Sequence, residues 1–181
     1  EPLPNYYVAP LKRDYDGGKV VFGGVVSGVA RALDSTFSTR LARHAEMYGT
    51  DLYLTTNDKK YSFTANAALT NVSGDSSAIL QRQRSSARYF QRPDRGAGMG
   101  GFFSTQLDSS APAWRGVGAY ARVAKETGDW MWETAFNTRT PGYETNDYAF
   151  QRSADYIWMN ANLVRFWSKR SSWYQSLYSI V

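Results

Sequence analysis

The sequence has no cysteine and a single histidine among its 181 residues. Without thiols the chain forms no disulfide bond and no thiolate zinc site, and it offers no cysteine nucleophile. One histidine supplies neither a multi-histidine metal site nor an abundant source of general bases. These shortages argue against most familiar enzyme chemistries. The sequence therefore predicts a protein that is not an enzyme and that carries no catalytic residue, cofactor or metal.

Long apolar runs are also missing. No segment approaches the roughly 18 consecutive apolar residues of a transmembrane helix, which excludes a helical membrane protein but not one built from strands. Apolar residues nevertheless make up 43% of the chain, and 6 Trp, 13 Tyr and 9 Phe are among them. A chain this rich in apolar and aromatic residues is not disordered. Its length predicts a single domain over residues 1–181, or one piece of a larger domain.

The net charge of +5 comes from 21 basic and 16 acidic residues. Fifteen of the basic residues are Arg and six are Lys, a ratio that favours fixed, bidentate pairing with carboxylates, phosphates or sugars. This is a weak indication of nucleic-acid binding, and no nucleic acid is predicted as a partner. The chain starts at Glu1 without a Met and ends within an apolar run. It is therefore expected to be a processed protein or a fragment.

Alternation with a period of two residues recurs along the chain, and it is clearest over residues 60–70. The odd positions Tyr61, Phe63 and Leu69 are apolar, whereas even positions such as Thr64 and Asn66 are polar. Such alternation predicts strands with one apolar and one polar face. About eight antiparallel strands follow, and they are joined by turns at 14–18, 57–59 and 126–129. The predicted strands span residues 7–13, 19–31, 46–56, 60–70, 114–124, 130–139, 155–165 and 173–181.

The length of these strands separates two classes of all-β protein. Strands in soluble sheets average about 5 to 6 residues, whereas a strand that crosses a bilayer needs about 9 to 11. The sequence thus predicts an up-and-down transmembrane β-barrel or a segment of one, although a soluble β-sandwich also alternates. Aromatic residues near the segment ends are expected to form interface girdles. They are Tyr61, Trp114, Trp130, Tyr156, Trp173 and Tyr174.

Two regions interrupt the alternation, at about 73–110 and 139–152, and are predicted to be long loops. The first contains five of the fifteen arginines, and residues 85–90 within it could be extended. Long loops on one side of a sheet and short turns on the other are typical of outer-membrane barrels.

Several motifs are shared with a known family. The run Gln-Arg-Ser-Ser-Ala-Arg-Tyr-Phe-Gln-Arg-Pro-Asp spans 83–94, with Arg-His-Ala at 43–45, Tyr-Gly-Thr-Asp at 48–51, Pro-Gly-Tyr-Glu-Thr-Asn-Asp at 141–147 and Ala-Asp-Tyr at 154–156. Over about residues 7–166 the chain resembles a bacterial family of uncharacterised function. In that family an outer-membrane β-barrel follows a carbohydrate-binding module of the family 9 type. The resemblance implies that this chain is part of the barrel, that the module lies upstream of it, and that the protein resides in the bacterial outer membrane.

The arginine-rich loop is the first candidate binding site. Guanidinium groups offer forked donors to hydroxyls or phosphates, and aromatic rings stack on ligands. The alternative is internal, with arginines that pair with carboxylates such as Asp94 and hold the loop in place. The candidate residues are Arg82, Arg84, Arg88, Tyr89, Arg92 and Asp94.

A second candidate lies in the seventh predicted strand. Tyr156, Trp158, Asn160 and Asn162 alternate and so share one face. Aromatic rings and amides together suit a sugar-guiding surface, since rings stack on apolar sugar faces and amides pair with hydroxyls. An aromatic girdle or packing against an inserted loop is the alternative for the same residues.

The function predicted from these features is passage or surface capture of a polar, carbohydrate-related solute by a porin-like outer-membrane barrel. Its partners would be outer-membrane lipid and a carbohydrate ligand. Two alternatives belong to other classes: a structural subunit that docks into a larger membrane assembly, and a soluble carbohydrate-binding β-sandwich.

Overall fold

The computed structural model describes residues 3–88 and 106–181. Eight strands form one antiparallel sheet, in which every strand pairs with its neighbours in sequence. The strands are β1 (Leu3–Tyr15), β2 (Val20–Ala32), β3 (His44–Thr55), β4 (Tyr61–Ser73), β5 (Ala113–Lys125), β6 (Trp130–Arg139), β7 (Tyr156–Trp167) and β8 (Leu177–Ile180). The prediction of an all-β, up-and-down arrangement of about eight antiparallel strands is confirmed.

Seven of the strands have 10 to 13 residues, and the first, β1, is longer than the predicted 7–13, but the last is short. A strand was expected over 173–181, whereas β8 covers only 4 residues. Trp173 and Tyr174 precede it. Their rings meet edge to face at 4.8 Å, and the Ser171 N–H donates to the Tyr174 carbonyl. This local turn occupies the start of the predicted strand.

Short turns and long connections alternate around the sheet, so its two ends differ. Asp16, Lys59 and Gly128 take positive φ in the three short turns, a conformation that tight hairpin turns require. The three longest connections lie at the opposite end of the strands. We call these the turn end and the loop end. The short turns are 16–19, 56–60 and 126–129, and the longest connections are 33–43, 74–112 and 140–155. The β7–β8 connection, 168–176, lies at the turn end.

The two faces of the sheet differ in burial. Residues paired across antiparallel strands share a face, so the register assigns every strand position to one of two sides. All buried strand residues other than glycine lie on the same side, which we call the covered face. We call the opposite side the bare face. The buried residues are Ser27, Val29, Ala45, Ser62, Thr70, Val72, Trp114, Ala124 and Ala135.

A small core forms where helix α2 (Ser76–Gln83) packs on the loop end of the covered face. Ile79 of the helix is fully buried against strand residues that include Val72 and Trp114. The region predicted as loop over 73–110 thus contains a helix, which begins where the Asp75 carboxylate accepts from the Ser77 N–H. Residues 85–88 form a turn and are not extended. Helix α1 spans only Ser35–Ser38, and no helix in 3–88 or 106–181 is long and apolar enough to cross a membrane.

The sheet is open. Strand β1 pairs only with β2 and strand β8 only with β7, so the eight strands do not close into a barrel. Every residue of β1 is exposed. The Arg31 N–H donates to the Arg43 carbonyl next to β3, so the backbone N–H and C=O groups of odd-numbered β2 residues are directed towards β3. By the β1–β2 register, the backbone groups of even-numbered β1 residues are then directed to the free edge. Pro4 and Pro10 occupy two of these outward positions, where a missing N–H leaves the β1–β2 ladder intact.

Candidate functional site

Two arginines from different elements converge on one carboxylate at the loop end. Arg82, in α2, donates from Nη1 to Asp147 Oδ2 at 2.6 Å and from Nη2 to Oδ1 at 3.0 Å. Arg31, at the end of β2, donates from Nη1 to the same Oδ1 at 2.8 Å. The Asp147 side chain is only 5% exposed. The pairs therefore fix the 140–155 connection to both α2 and the sheet.

A second buried ion pair joins the 140–155 connection to the turn that follows α2. The Arg88 guanidinium donates to the Glu144 carboxylate and, at 2.9 Å, to the Tyr143 carbonyl. It also lies over the Trp114 ring, 5.0 Å from the centroid. Burial, and next the charge of Arg82, lowers the pKa of Arg88 to about 10, so the group stays protonated at neutral pH. We call Arg31, Arg82, Arg88, Glu144 and Asp147 the loop-end network.

The 140–155 connection also packs directly on the backbone of β5, at two glycines. A Cβ at Gly116 would lie 2.0 Å from the Tyr143 nitrogen, and a Cβ at Gly118 would lie 2.9 Å from the Tyr143 ring. Only residues without a side chain allow this approach. Nearby, the Glu144 N–H donates to Thr70 Oγ1 at 3.1 Å. The connection is therefore held on the covered face both by its close packing against the two glycines and by the ion pairs of the loop-end network.

These contacts bear on the predicted arginine site. Arg82 and Arg88 pair with protein carboxylates, as in the internal alternative, and their partners are Glu144 and Asp147. Arg84 is exposed and forms the C-cap of α2. The remaining predicted residues, Tyr89, Arg92 and Asp94, lie outside the described residues. The two acidic partners sit in the other predicted loop, and no spacing in the sequence links them to the arginines.

The turn end of the covered face carries a second ionic cluster. Arg122 lies 2.7 Å from both Glu126 and Glu133. Ser62 Oγ donates to Glu126 at 2.6 Å, and Asn162 Nδ2 donates to Glu133 at 2.9 Å. The hydrogen bonds from Arg122 and then Ser62 hold the pKa of Glu126 below its ordinary value. We call these five residues the turn-end cluster, and it engages the predicted ligand residue Asn162.

Replacing Arg122 with Met is expected to lower the free energy of unfolding by about 1–2 kcal/mol, because two carboxylates lose a charged donor. Since the pKa of Glu126 is depressed in the folded protein, wild type should lose this stabilisation as the pH falls through that pKa. The variant keeps only the hydrogen bond from Ser62 to Glu126 and should lose less. Denaturant titrations in detergent micelles, followed by tryptophan fluorescence, measure both effects. The control is Lys19→Met, whose ion pair with Asp16 lies in an exposed turn and should contribute less than about 1 kcal/mol. Equal losses in both variants would contradict the cluster's role.

The four predicted residues of β7 all lie on the covered face but differ in their contacts. The Tyr156 hydroxyl donates to Asn137 Oδ1 at 3.4 Å. Trp158 is 50% exposed, and Asn160 Oδ1 is buried without a hydrogen-bond partner among the described residues. Trp158 therefore remains accessible for a ligand, whereas the Asn160 oxygen is enclosed and Asn162 is used in the turn-end cluster. Trp158 pairs directly with Asn137 of β6, a neighbour that alternation within single strands does not reveal.

Aromatic residues gather at the turn end of the bare face. The rings of Tyr61 and Trp132 lie 6.5 Å apart. The Arg165 guanidinium lies 4.8 Å from the Trp130 ring and 5.5 Å from the Trp167 ring. Tyr61 and Trp130 were predicted to occupy such positions.

The other predicted girdle positions differ. Trp114 and Tyr156 lie on the covered face, because their parity in β5 and β7 is that of the polar positions. Trp114 is only 5% exposed and packs beneath Arg88, so it does not belong to a girdle. Trp173 and Tyr174 lie in the connection between β7 and β8.

At the loop end of the bare face, two tyrosines surround one carboxylate. The hydroxyls of Tyr7 and Tyr48 donate to Glu46 at 3.4 and 3.2 Å, and Asn71 Nδ2 donates to it at 3.4 Å. Arg115 pairs with Asn71 in the register and so continues this polar row onto β5. Between this row and the aromatic group at the turn end, the bare face of β3 to β5 carries no charged residue before Lys125.

The two ionic networks lie at the ends of the covered face, and the other charged residues of its strands are Lys12, Asp14, Asp51 and Arg139. No group of three or more His, Asp or Glu side chains in the described parts of the chain could hold a metal ion. What remains accessible on this face is a central polar strip that contains Trp158.

Comparison of the chain with protein-family models, with curated proteins and with solved structures finds no match.

Proposed function

We propose that the chain forms part of the wall of an outer-membrane β-barrel, with the bare face towards lipid and the covered face towards a polar lumen. The observation that carries this proposal is the asymmetry of the sheet. Large apolar side chains on the bare face are exposed, among them Leu11 at 77%, Ile157 at 73% and Met159 at 69%. Exposed apolar area on this scale marks an interaction surface. A lipid-facing wall places these side chains in hydrocarbon.

The dimensions of the bare face support the same orientation. On β5, Arg115 and Lys125 border a stretch in which every bare-face residue is Val or Ala. Ten residue steps at about 3.4 Å cover roughly 34 Å. At a strand tilt of about 45° this corresponds to about 24 Å along the membrane normal, close to the apolar band of about 25 Å on outer-membrane barrels. The tyrosines at one border and the tryptophans at the other match interface girdles.

The covered face has the features of a lumen that is partly filled by loops. Its polar positions include Thr64 and Asn66, on the face that alternation predicted to be polar, whereas Thr70 is fully buried beneath the 140–155 connection. At the loop end, α2 and the 140–155 connection fold onto this face and are held by the loop-end network. Inserted segments of this kind narrow or plug many barrels. In a closed barrel, the free edges of β1 and β8 would each pair with a further strand.

The role that follows is passage or surface capture of a polar, carbohydrate-related solute, without a covalent step. Polar side chains in the lumen would replace the water removed from the solute. The family resemblance supports both the outer-membrane location and the association with carbohydrate. Two competing functions make different demands on the fold. A β-sandwich needs a second sheet, whereas β1 to β8 form only one. A docking subunit needs a protein partner to cover the bare face.

The proposal predicts that the native protein that contains these strands, extracted from membranes in mild detergent, migrates faster on a denaturing gel before boiling than after it. A closed barrel resists detergent and stays compact until heated. The gel comparison and the distribution between membrane and soluble fractions are measured together. Recovery in the soluble fraction with no shift on boiling would overturn the barrel proposal and leave the docking subunit as the better description.

A further inference from the structure

A row of side chains crosses the covered face between the two ionic networks. Asp51 of β3 pairs with Asn66 of β4, Asn66 with Tyr120 of β5, Tyr120 with Asn137 of β6, and Asn137 with Trp158 of β7. These five residues, the central row, therefore lie side by side on one face. At a strand spacing of about 4.8 Å, four steps span about 19 Å. This is long enough for several sugar rings in sequence.

The central row differs from both networks in how its polar groups are used. Asp51, Asn66, Tyr120 and Trp158 form no side-chain hydrogen bond or ion pair with the described residues, and Asn137 is engaged only through Oδ1. Most polar groups of the loop-end network and the turn-end cluster are instead paired within the protein. In the row, Asp51, Asn66 and Trp158 are exposed, and Tyr120 and Asn137 are half-buried. The row is therefore open to a ligand, and its polar groups are largely not used by partners in the protein.

We propose that the central row binds a neutral oligosaccharide chain, which deepens the proposed function and rests on it. Two aromatic rings, Tyr120 and Trp158, can stack on the apolar faces of sugar rings. Between and beside them, the amides of Asn66 and Asn137 can donate to one hydroxyl and accept from its neighbour. Acidic or phosphorylated chains fit less well, because the one charge in the row is the carboxylate of Asp51. Of the nearby cations, Arg122 is engaged by two glutamates and Arg139 lies against the Tyr143 and Tyr156 rings.

One further feature marks the Trp158 end as the stronger subsite. A hollow of ≈ 510 Å³ opens beside Asn137 and Trp158 and is bounded by Ser153 and Tyr156. Trp158 is also the most exposed ring of the row, at 50%, so a sugar ring can stack on it within this hollow.

The test is isothermal titration calorimetry of the detergent-solubilised full chain with maltohexaose, cellohexaose and xylohexaose at millimolar concentration. We expect at least one of the three to bind. Trp158→Ala should weaken that binding about tenfold, since a stacked ring and its contacts are lost. The matched control is Trp132→Ala, which removes the same side chain from the bare face and should leave the affinity unchanged. Both variants are checked for unchanged migration before and after boiling.

Three results would overturn the inference: no binding of any probe by wild type, equal affinity of wild type and Trp158→Ala, or equal losses in the two tryptophan variants. These outcomes are separable from failure of the barrel proposal. A protein that shifts on boiling but binds none of the sugars retains the barrel and loses the binding row. A soluble protein that binds sugar through Trp158 retains the binding row and loses the barrel.

Discussion

An arginine at position 67 is expected to prevent membrane assembly, whereas an arginine at position 66 is not. Ala67 and Asn66 are adjacent in β4, and both are exposed to solvent in the isolated sheet. Ala67 lies on the bare face between Thr50 and Ala119, and Asn66 lies on the covered face. In a bilayer, an arginine facing the centre of the hydrocarbon costs about 2–4 kcal/mol, whereas a lumen position carries no such cost.

The pair Ala67→Arg and Asn66→Arg therefore separates a lipid-facing sheet from a soluble one. Heat-dependent gel migration and the amount of folded protein in the membrane fraction are measured for both. We expect Ala67→Arg to abolish most of the compact, unboiled band and Asn66→Arg to retain it. If both variants assembled as wild type does, the bare face would not contact lipid, since a solvated strand tolerates arginine on either side.

The positions of most strands, and the side of the sheet on which each residue lies, could be predicted from the sequence, because alternation depends only on neighbours along the chain. The predicted strand over 60–70 corresponds to β4, Tyr61–Ser73, and its odd and even residues lie on opposite faces as expected. Residues 130–139 coincide with β6. The turns also followed from local chemistry, as in the hairpin at 56–60, where Thr56 Oγ1 donates to Asp58 at 2.6 Å.

Other features depend on contacts between distant segments, which local patterns do not encode. Helix α2 has only 8 residues, too few for a clear helical period, and it is stabilised by Ile79 against the sheet. The carboxylate partners of Arg82 and Arg88 lie more than fifty positions away. The central row is formed only by the register of five strands. The sequence therefore predicted Trp158 as a ligand-binding residue, but not Asn66, Tyr120 or Asn137.

The openness of the sheet has the same origin. Alternation and strand length predict that each strand can line a barrel, yet closure depends on how the first and last strands pair. Here β1 presents two prolines outwards, and β8 has only four residues. Neither edge therefore offers a continuous ladder to the other. The long strands and the asymmetric faces were predictable, whereas the completeness of the wall was not.

Gly116→Val is expected to release the 140–155 connection from the sheet. The new Cβ would lie 2.0 Å from the Tyr143 nitrogen and 2.1 Å from the Gly142 carbonyl carbon, and both atoms are backbone and cannot rotate away. Displacement of this segment would separate Glu144 from Arg88, and Asp147 from Arg82 and Arg31. Because a hydrogen bond to a charged group contributes about 1.5–3 kcal/mol, loss of these pairs should cost the loop end several kcal/mol of stability while the strands persist.

Limited proteolysis and hydrogen exchange of residues 140–155 measure this release, and unboiled gel migration reports whether the strands remain assembled. The control is Gly24→Val, a glycine in the bare face of β2 whose added Cβ would have only Gly49 O within reach, at 3.6 Å. We expect rapid cleavage of the connection in Gly116→Val alone. If residues 140–155 were protected from cleavage and exchange as in wild type, the position of the connection would not depend on its packing against Gly116. If the covered face lines a lumen, the same variant should also expose the central row at its loop end, so that sugars reach Trp158 faster without a change in the residues that bind them.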